Sequence, residues 1–187
     1  MKKLLTGAVI ASAAIALTAC GGGSKAATDP LAAHAAAAIS AKMLSDQSGS
    51  TLEGLKMTQT QADCIGNGIV SSVGVKQLQT YGALDAQGNI VDNKFTSPAL
   101  SKTDATSFVN TVFTCVGNDT LTNALKSKID SSAGSANPTV KACMDKSVTT
   151  DTLKNIMIGA LEGKSSADSQ AAVQNLTSSM MACATAH

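Results

Sequence analysis

Aromatic residues and arginine are scarce in this chain of 187 residues. It has no Trp, one Tyr and three Phe, so aromatic residues make up 2% of a sequence that is 44% apolar. Much of the apolar fraction is Ala, and a core built from it buries little area per residue and needs additional stabilisation. All 14 basic residues are Lys, and 13 acidic residues nearly balance them. Without Arg or a basic stripe, we expect no nucleic-acid partner.

Residues for catalysis and cofactor binding are also scarce. The two histidines are His34, in an Ala-rich segment, and His187, at the C-terminus, and there is no G-x-S-x-G motif. Because a hydrolase needs a nucleophile beside a base, we expect no catalytic residue and no enzymatic activity. The segment 85–90 resembles part of a calcium loop, but Ala83 and Lys94 would fill its first and twelfth ligand positions, which favours a simple turn. We expect neither a metal nor another cofactor.

The segment 1–19 has the order of an export signal. Two lysines precede the apolar run Leu4–Leu17, which is about 14 residues long, whereas a membrane-spanning helix needs roughly 20. The following Leu17-Thr18-Ala19-Cys20 resembles the lipobox of bacterial lipoproteins. This resemblance implies cleavage directly before Cys20 and a diacylglyceryl thioether on that cysteine. The alternatives are a permanent transmembrane helix and an ordinary secretory signal with a chance cysteine.

A glycine-rich segment, residues 20–29, is predicted to tether the lipid to a water-soluble domain. Each acyl chain contributes about 0.8 kcal/mol per buried CH₂, and a single chain binds only reversibly. Two or three chains on Cys20 would hold durably. We therefore expect a protein exported from the cytoplasm and lipid-anchored at the cell membrane or cell surface, with the membrane as a partner through its lipidated N-terminus.

Four cysteines remain in the mature chain: Cys64, Cys115, Cys143 and Cys183. An even number of cysteines in an exported chain predicts two disulfides, for which three connectivities are possible. There is no C-x-x-C pair, and each cysteine lies far from the next along the sequence. That wide spacing argues against a zinc cluster or a thioredoxin-like redox site.

The sequence around these cysteines favours an internal duplication. Gly82-Ala83-Leu84-Asp85 follows Cys64 at nearly the same offset at which Gly159-Ala160-Leu161-Glu162 follows Cys143. Apolar residues also precede the second cysteine of each half by three, seven and ten positions, on one helical face. They are Val112, Phe108 and Ala105 in the first half and Met180, Leu176 and Val173 in the second. Parsimony then pairs Cys64 with Cys115 and Cys143 with Cys183, each bond contributing about 4 kcal/mol on a chain-entropy model.

Helix signals recur along the mature chain. Asp29-Pro30 and Asn137-Pro138 each combine an N-cap residue with a proline in the first turn. Thr58 or Thr60 can cap another helix, whereas the stretch 85–98 is polar and turn-rich. In the last two helices, amphipathic patterns predict which side chains face inward. These are Leu153, Ile156, Met157, Ala160 and Leu161, followed by Val173, Leu176, Met180 and Met181.

We therefore predict an all-α fold of about seven short helices in two linked small bundles, each closed by one disulfide. The first helical half comprises residues 30–130 and the second comprises residues 131–187. The sequence Thr58-Gln59-Thr60-Gln61-Ala62-Asp63-Cys64, followed by Ile69-Val70-Ser71-Ser72-Val73-Gly74, is similar to four-cysteine helical lipoproteins of actinobacteria, a group without an assigned activity. The resemblance covers roughly residues 31–187 and implies no functional residues.

Two functions remain open at this point. An anchored, cross-linked domain favours a non-enzymatic role, in which it binds an envelope protein partner or supports the cell envelope. The alternative is a solute- or lipid-binding lipoprotein, with a small apolar ligand in a pocket between the halves that Met and Ile residues line. An enclosed apolar cavity between the halves would favour the alternative, and a tightly packed seam would favour the first function. Met144 and the other methionines follow helical spacing, which favours core packing over soft-metal binding.

Overall fold

The computed structural model describes residues 29–46, 56–95, 99–132, 138–163 and 167–185. Within these ranges the protein is all-α, as predicted, and an isolated antiparallel bridge between Leu84 and Ile90 is its only strand-like feature. The helices there are α1 (Pro30–Ser45), α2 (Gln59–Ser72), α3 (Val75–Thr80), α4 (Asp92–Phe95), α5 (Lys102–Val116), α6 (Asn118–Ser132), α7 (Pro138–Ser147), α8 (Thr150–Leu161) and α9 (Ala167–Thr185). These are two helices more than expected, and the short α4 lies inside the stretch predicted to be turn-rich.

Several helices begin at a residue whose side chain accepts a backbone N–H group. Asp29 accepts from the first turn of α1, where Pro30 follows it, as the sequence predicted. Thr58 and Gln61 form a reciprocal capping box at the start of α2. Such caps satisfy N–H groups that have no partner inside the helix. Asn137, the predicted N-cap of α7, lies outside the described residues.

Helices α1 and α2 pack antiparallel, and small residues allow their backbones to approach closely. A Cβ added at Gly66 of α2 would lie 2.3 Å from the Ala36 carbonyl oxygen of α1. Around this contact, Ala35, Ile39 and Ile65 are fully buried. An alanine side chain buries little apolar area, but its small size allows larger neighbouring side chains to pack at the density of a protein interior.

Helix α2 also packs antiparallel against α5. The disulfide between Cys64 and Cys115 joins them, which confirms the first predicted pair. One turn after Cys64 in α2 and one turn before Cys115 in α5, a Cβ added at Gly68 would lie 2.4 Å from Cγ2 of Thr111. The two helices are thus held in register by a covalent bond and by a close backbone approach.

Helix α5 has neighbours on several sides, since it contacts α2, α6 and α8. Its buried residues consequently occupy more than one stripe, and they are Ala105, Phe108, Val109, Val112, Phe113 and Val116. Buried residues of both predicted halves form one core cluster, which extends from Ala32 to Leu153.

Polar contacts accompany this packing at the seam between the two halves. The Leu100 N–H donates to the Leu161 carbonyl oxygen at 2.8 Å, which joins the segment before α5 to the end of α8. The hydroxyl oxygens of Thr122 and Thr150 are 3.1 Å apart, which links α6 to the start of α8. The seam is therefore packed and hydrogen-bonded.

Helix α7 has α9 as its main neighbour. The disulfide between Cys143 and Cys183 joins these helices, which confirms the second predicted pair. None of the α7 side chains that the structure describes is fully buried, whereas Val148, directly after the helix, is buried. The side chain of Met144 lies outside the description. The disulfide is thus a principal attachment of α7.

The rotation of α9 differs from the prediction. Cys183 is buried, and so is Ala172, three helical turns earlier, because both lie on the face that the disulfide turns inward. Val173 and Met181 were predicted to face inward, and this was wrong, since they are 45% and 64% exposed. The prediction for Ala160 in α8 was wrong as well, because it is exposed.

The two similar tetrads adopt different conformations. Gly82-Ala83-Leu84-Asp85 follows α3 as a non-helical segment, whereas Gly159-Ala160-Leu161-Glu162 spans the end of α8. The sequence similarity between them is therefore not matched by local structure. The duplication and the division into two bundles stay predictions.

Replacing Gly66 by Ala should destabilise the protein by about 2–3 kcal/mol, because the new methyl group meets the α1 backbone and not a flexible side chain. Urea denaturation followed by circular dichroism measures the change. Thr60→Ala is the matched control, since Thr60 is an exposed residue of the same helix and its replacement should change stability by less than about 0.5 kcal/mol. Equal stability of the two variants would contradict the close approach of α1 and α2.

Candidate functional site

The predicted anchor, Cys20, lies outside the residues that the structure describes, as do the predicted export signal 1–19 and His187. The described body begins at Asp29, nine residues after Cys20. Nine residues span at most about 30 Å when fully extended. A lipid on Cys20 would therefore keep the start of α1 within that distance of the membrane surface.

An open cleft of about 490 Å³ lies beside the start of α1, next to the junction of α2 and α3. Its lining combines the acidic Asp29, the basic Lys76 and the hydroxyl of Ser71 with small apolar residues such as Ala32 and Val70. The charges of opposite sign and the open shape suit polar contacts better than the capture of an apolar ligand.

A second cleft, of about 390 Å³, lies between α8 and α9. Its lining is also mixed, with Asp151, Asn155 and Asn175 beside two alanines. Neither cleft lies between the two predicted halves, and neither is lined by Met or Ile. They therefore do not provide the apolar pocket of the alternative function.

His34 contacts the turn 85–89. Its Nε2 lies 2.9 Å from Oδ1 of Asn89, which joins α1 to the turn. Gly88 has a φ of +84°, and a Cβ there would lie 3.1 Å from Cδ1 of Leu31. The glycine thus allows both the turn and its close approach to α1, and His34 serves to dock the turn.

The Asp85 carboxylate organises this turn. It accepts the N–H groups of Gln87 and Asn89, and the Asn89 side chain donates to its second oxygen at 2.9 Å. The hydrogen bonds from Asn89 hold the pKa of Asp85 below its usual value, because they favour the charged form. The structure is the simple turn that the sequence favoured over a calcium loop.

A polar cluster between α1 and α2, in which Ser40 is buried and Gln59 and Asp63 are exposed, was not predicted. Ser40 is 2% exposed, and its Oγ donates to Asp63 at 2.6 Å. Gln59 donates to the same carboxylate oxygen at 2.8 Å. Because burial keeps the hydroxyl from any substrate, the cluster satisfies polar groups and does not activate a nucleophile. The spacing of Gln59 and Asp63, one helical turn apart, is the one sequence signal for it.

Among the described residues, no group of three or more His, Cys, Asp or Glu side chains is arranged to hold a metal ion. No helix in this part of the chain combines the length and apolarity needed to cross a membrane. The chain matches no protein-family model, no curated protein and no solved structure.

The lowered pKa of Asp85 makes a prediction about acid stability. A depressed folded-state pKa contributes stability that is present above about pH 4, the unfolded value, and is lost as the pH falls through the folded pKa. Asp85→Asn should therefore weaken the dependence of the melting temperature on pH below about pH 4.

Thermal melts across the acidic range test this expectation. Asn89→Ala is the companion variant, because it leaves the carboxylate but removes its side-chain donor, and it should weaken the same dependence. Acid profiles that are unchanged in both variants would show that the turn does not couple Asp85 to stability.

Proposed function

We propose that the chain is an exported bacterial lipoprotein, anchored to a membrane through acyl chains on Cys20, that binds a partner or supports the cell envelope without catalysis. One observation carries this proposal: the two disulfides use every cysteine of the chain except Cys20. Disulfides persist in oxidising compartments outside the cytoplasm, which agrees with the export signal. The cysteine left over is the one that follows Leu17-Thr18-Ala19.

The packed seam between the halves favours a partner-binding or structural role over a role in binding a small apolar ligand. A ligand-binding lipoprotein needs a concave, largely apolar pocket that encloses its ligand. At the seam, Leu100 is hydrogen-bonded to Leu161 and Thr122 to Thr150, and buried residues from both halves belong to one core. The two clefts lie elsewhere and have mixed linings.

We further propose that the two halves arose by duplication. Their disulfides support this, because each half contains one bond, which joins α2 to α5 in the first half and α7 to α9 in the second. The intervening helices differ in number, and the tetrads differ in conformation. Membership among four-cysteine helical lipoproteins of actinobacteria is part of the same proposal and rests on the sequence resemblance.

The anchor is tested by metabolic labelling with palmitate in a bacterium that processes lipoproteins. The complete precursor should incorporate the label and sediment with membranes, and Cys20→Ser should lose the label, because a serine cannot form the thioether. Ser24→Ala, four residues downstream, is the control and should keep both properties. Label in the Cys20→Ser variant, or its absence from the unmodified protein, would show that Cys20 is not the lipid site.

A further inference from the structure

The two disulfides differ in how far solvent reaches them. Cys64 is exposed and Cys115 is half-buried, whereas Cys143 is half-buried and Cys183 is 2% exposed. A disulfide is opened when a thiolate attacks one of its sulfur atoms in line with the S–S bond, so the rate depends on access. In the folded protein, the first bond is thus open to an attacking thiol on the Cys64 side, and the second is shielded at Cys183.

The helices joined by the exposed bond are also held together by other contacts. Gly68 approaches Thr111 one turn away, and the Gln61 side chain donates to the Val116 carbonyl oxygen. The facing surfaces of α2 and α5 are rich in buried residues, among them Ile65, Ile69, Val109 and Val112. These contacts do not need the covalent bond, so the pair should stay assembled when the bond opens.

Helix α7, in contrast to α2 and α5, has few buried contacts besides its disulfide. None of its described side chains is fully buried, and α9 is its main neighbour, so its attachment depends far more on the bond between Cys143 and Cys183. Opening that bond would release α7 and leave the Cys183 thiol in a buried position. The bond between Cys64 and Cys115 therefore cross-links an interface that packing already maintains. The bond between Cys143 and Cys183 is itself what holds α7 on α9.

We propose that Cys64–Cys115 is a thiol-exchange site, which a dithiol protein can open reversibly while the fold is kept, and that Cys143–Cys183 is structural. A thiolate of the dithiol attacks the sulfur of Cys64, a mixed disulfide forms, and Cys115 leaves as a thiolate and takes up a proton. The second thiol of the partner then attacks the mixed disulfide and releases Cys64. The site gains two electrons and two protons, and the partner is oxidised to a disulfide.

We place the dithiol partner outside the cytoplasm, and this placement rests on the export proposed above. The exchange chemistry itself does not, because it follows from exposure and packing. Failure of the palmitate test would therefore leave the site intact, and failure of the test below would leave the anchor intact.

Graded reduction of the purified, fully oxidised protein tests the proposal. Dithiothreitol is added in steps, free thiols are alkylated, and peptide mass spectrometry counts alkylation at each cysteine while circular dichroism follows helix content. We expect Cys64 and Cys115 to be alkylated together, on the order of tenfold faster than the other pair, with the helical signal kept. Earlier alkylation of Cys143 and Cys183, or equal alkylation of all four with loss of helix, would overturn the proposal.

A trapping experiment identifies the attacked bond. A dithiol oxidoreductase whose second cysteine is replaced by serine cannot resolve a mixed disulfide, so the adduct accumulates. We expect the adduct on Cys64. The control is the double variant Cys64→Ser/Cys115→Ser, which should form no adduct and reduce its remaining bond at the slow rate of the unmodified protein. An adduct on Cys143 or Cys183, or none on the unmodified protein, would contradict the assignment.

Discussion

The antiparallel contact between α2 and α5 is the interaction on which the rest of the described structure depends. Helix α1 packs on α2, and α8 packs on α5, so both ends of the core are connected through this pair. The close approach of Gly68 to Thr111 sets the spacing of the two backbones, and the bond between Cys64 and Cys115 adds a covalent link one turn away. Such a link stabilises mainly by restricting the unfolded chain, which helps a protein whose core is poor in large side chains.

Two of the four aromatic residues, Phe113 and Tyr81, connect different helices. Phe113 of α5 is buried, and the Lys154 ammonium group of α8 lies 5.2 Å from its ring centre, so the seam between the halves gains a cation–π contact. The single tyrosine, Tyr81, donates its hydroxyl to Asp104 at 2.5 Å and accepts the Ser101 N–H at 3.1 Å. It thereby joins the end of α3 to the start of α5. Elsewhere, Ala and Gly permit close helix packing in place of bulk.

The sequence predicts the features that local chemistry determines, and misses those that neighbours determine. Helix starts are predictable because an N-cap such as Thr58 acts within its own first turn. The disulfide pairs were predicted by assuming two similar halves, each closed by its own bond, and both pairs are confirmed. The rotation of α9 about its axis could not be predicted in this way, because periodicity identifies an apolar face but not the helix that packs against it. The buried Cys183 fixes the rotation, and Val173 is then exposed to solvent. Helix α4 likewise involves contacts with distant residues, because Phe95 is buried in the core and Asp92 forms an ion pair of 2.9 Å with Lys42. The proposed anchor at Cys20 rests on the sequence pattern and on the pairing of every other cysteine.

The described body combines a firmly packed centre with one weakly attached helix. The account requires that α2 and α5 form the most stable unit and that α7 depend on its bond to α9. Native-state hydrogen exchange measured by NMR tests this most directly. Amides of α2 and α5 should exchange only through global unfolding, and amides of α7 should exchange at least about tenfold faster through local opening. Protection in α7 equal to that in α5 would contradict the account.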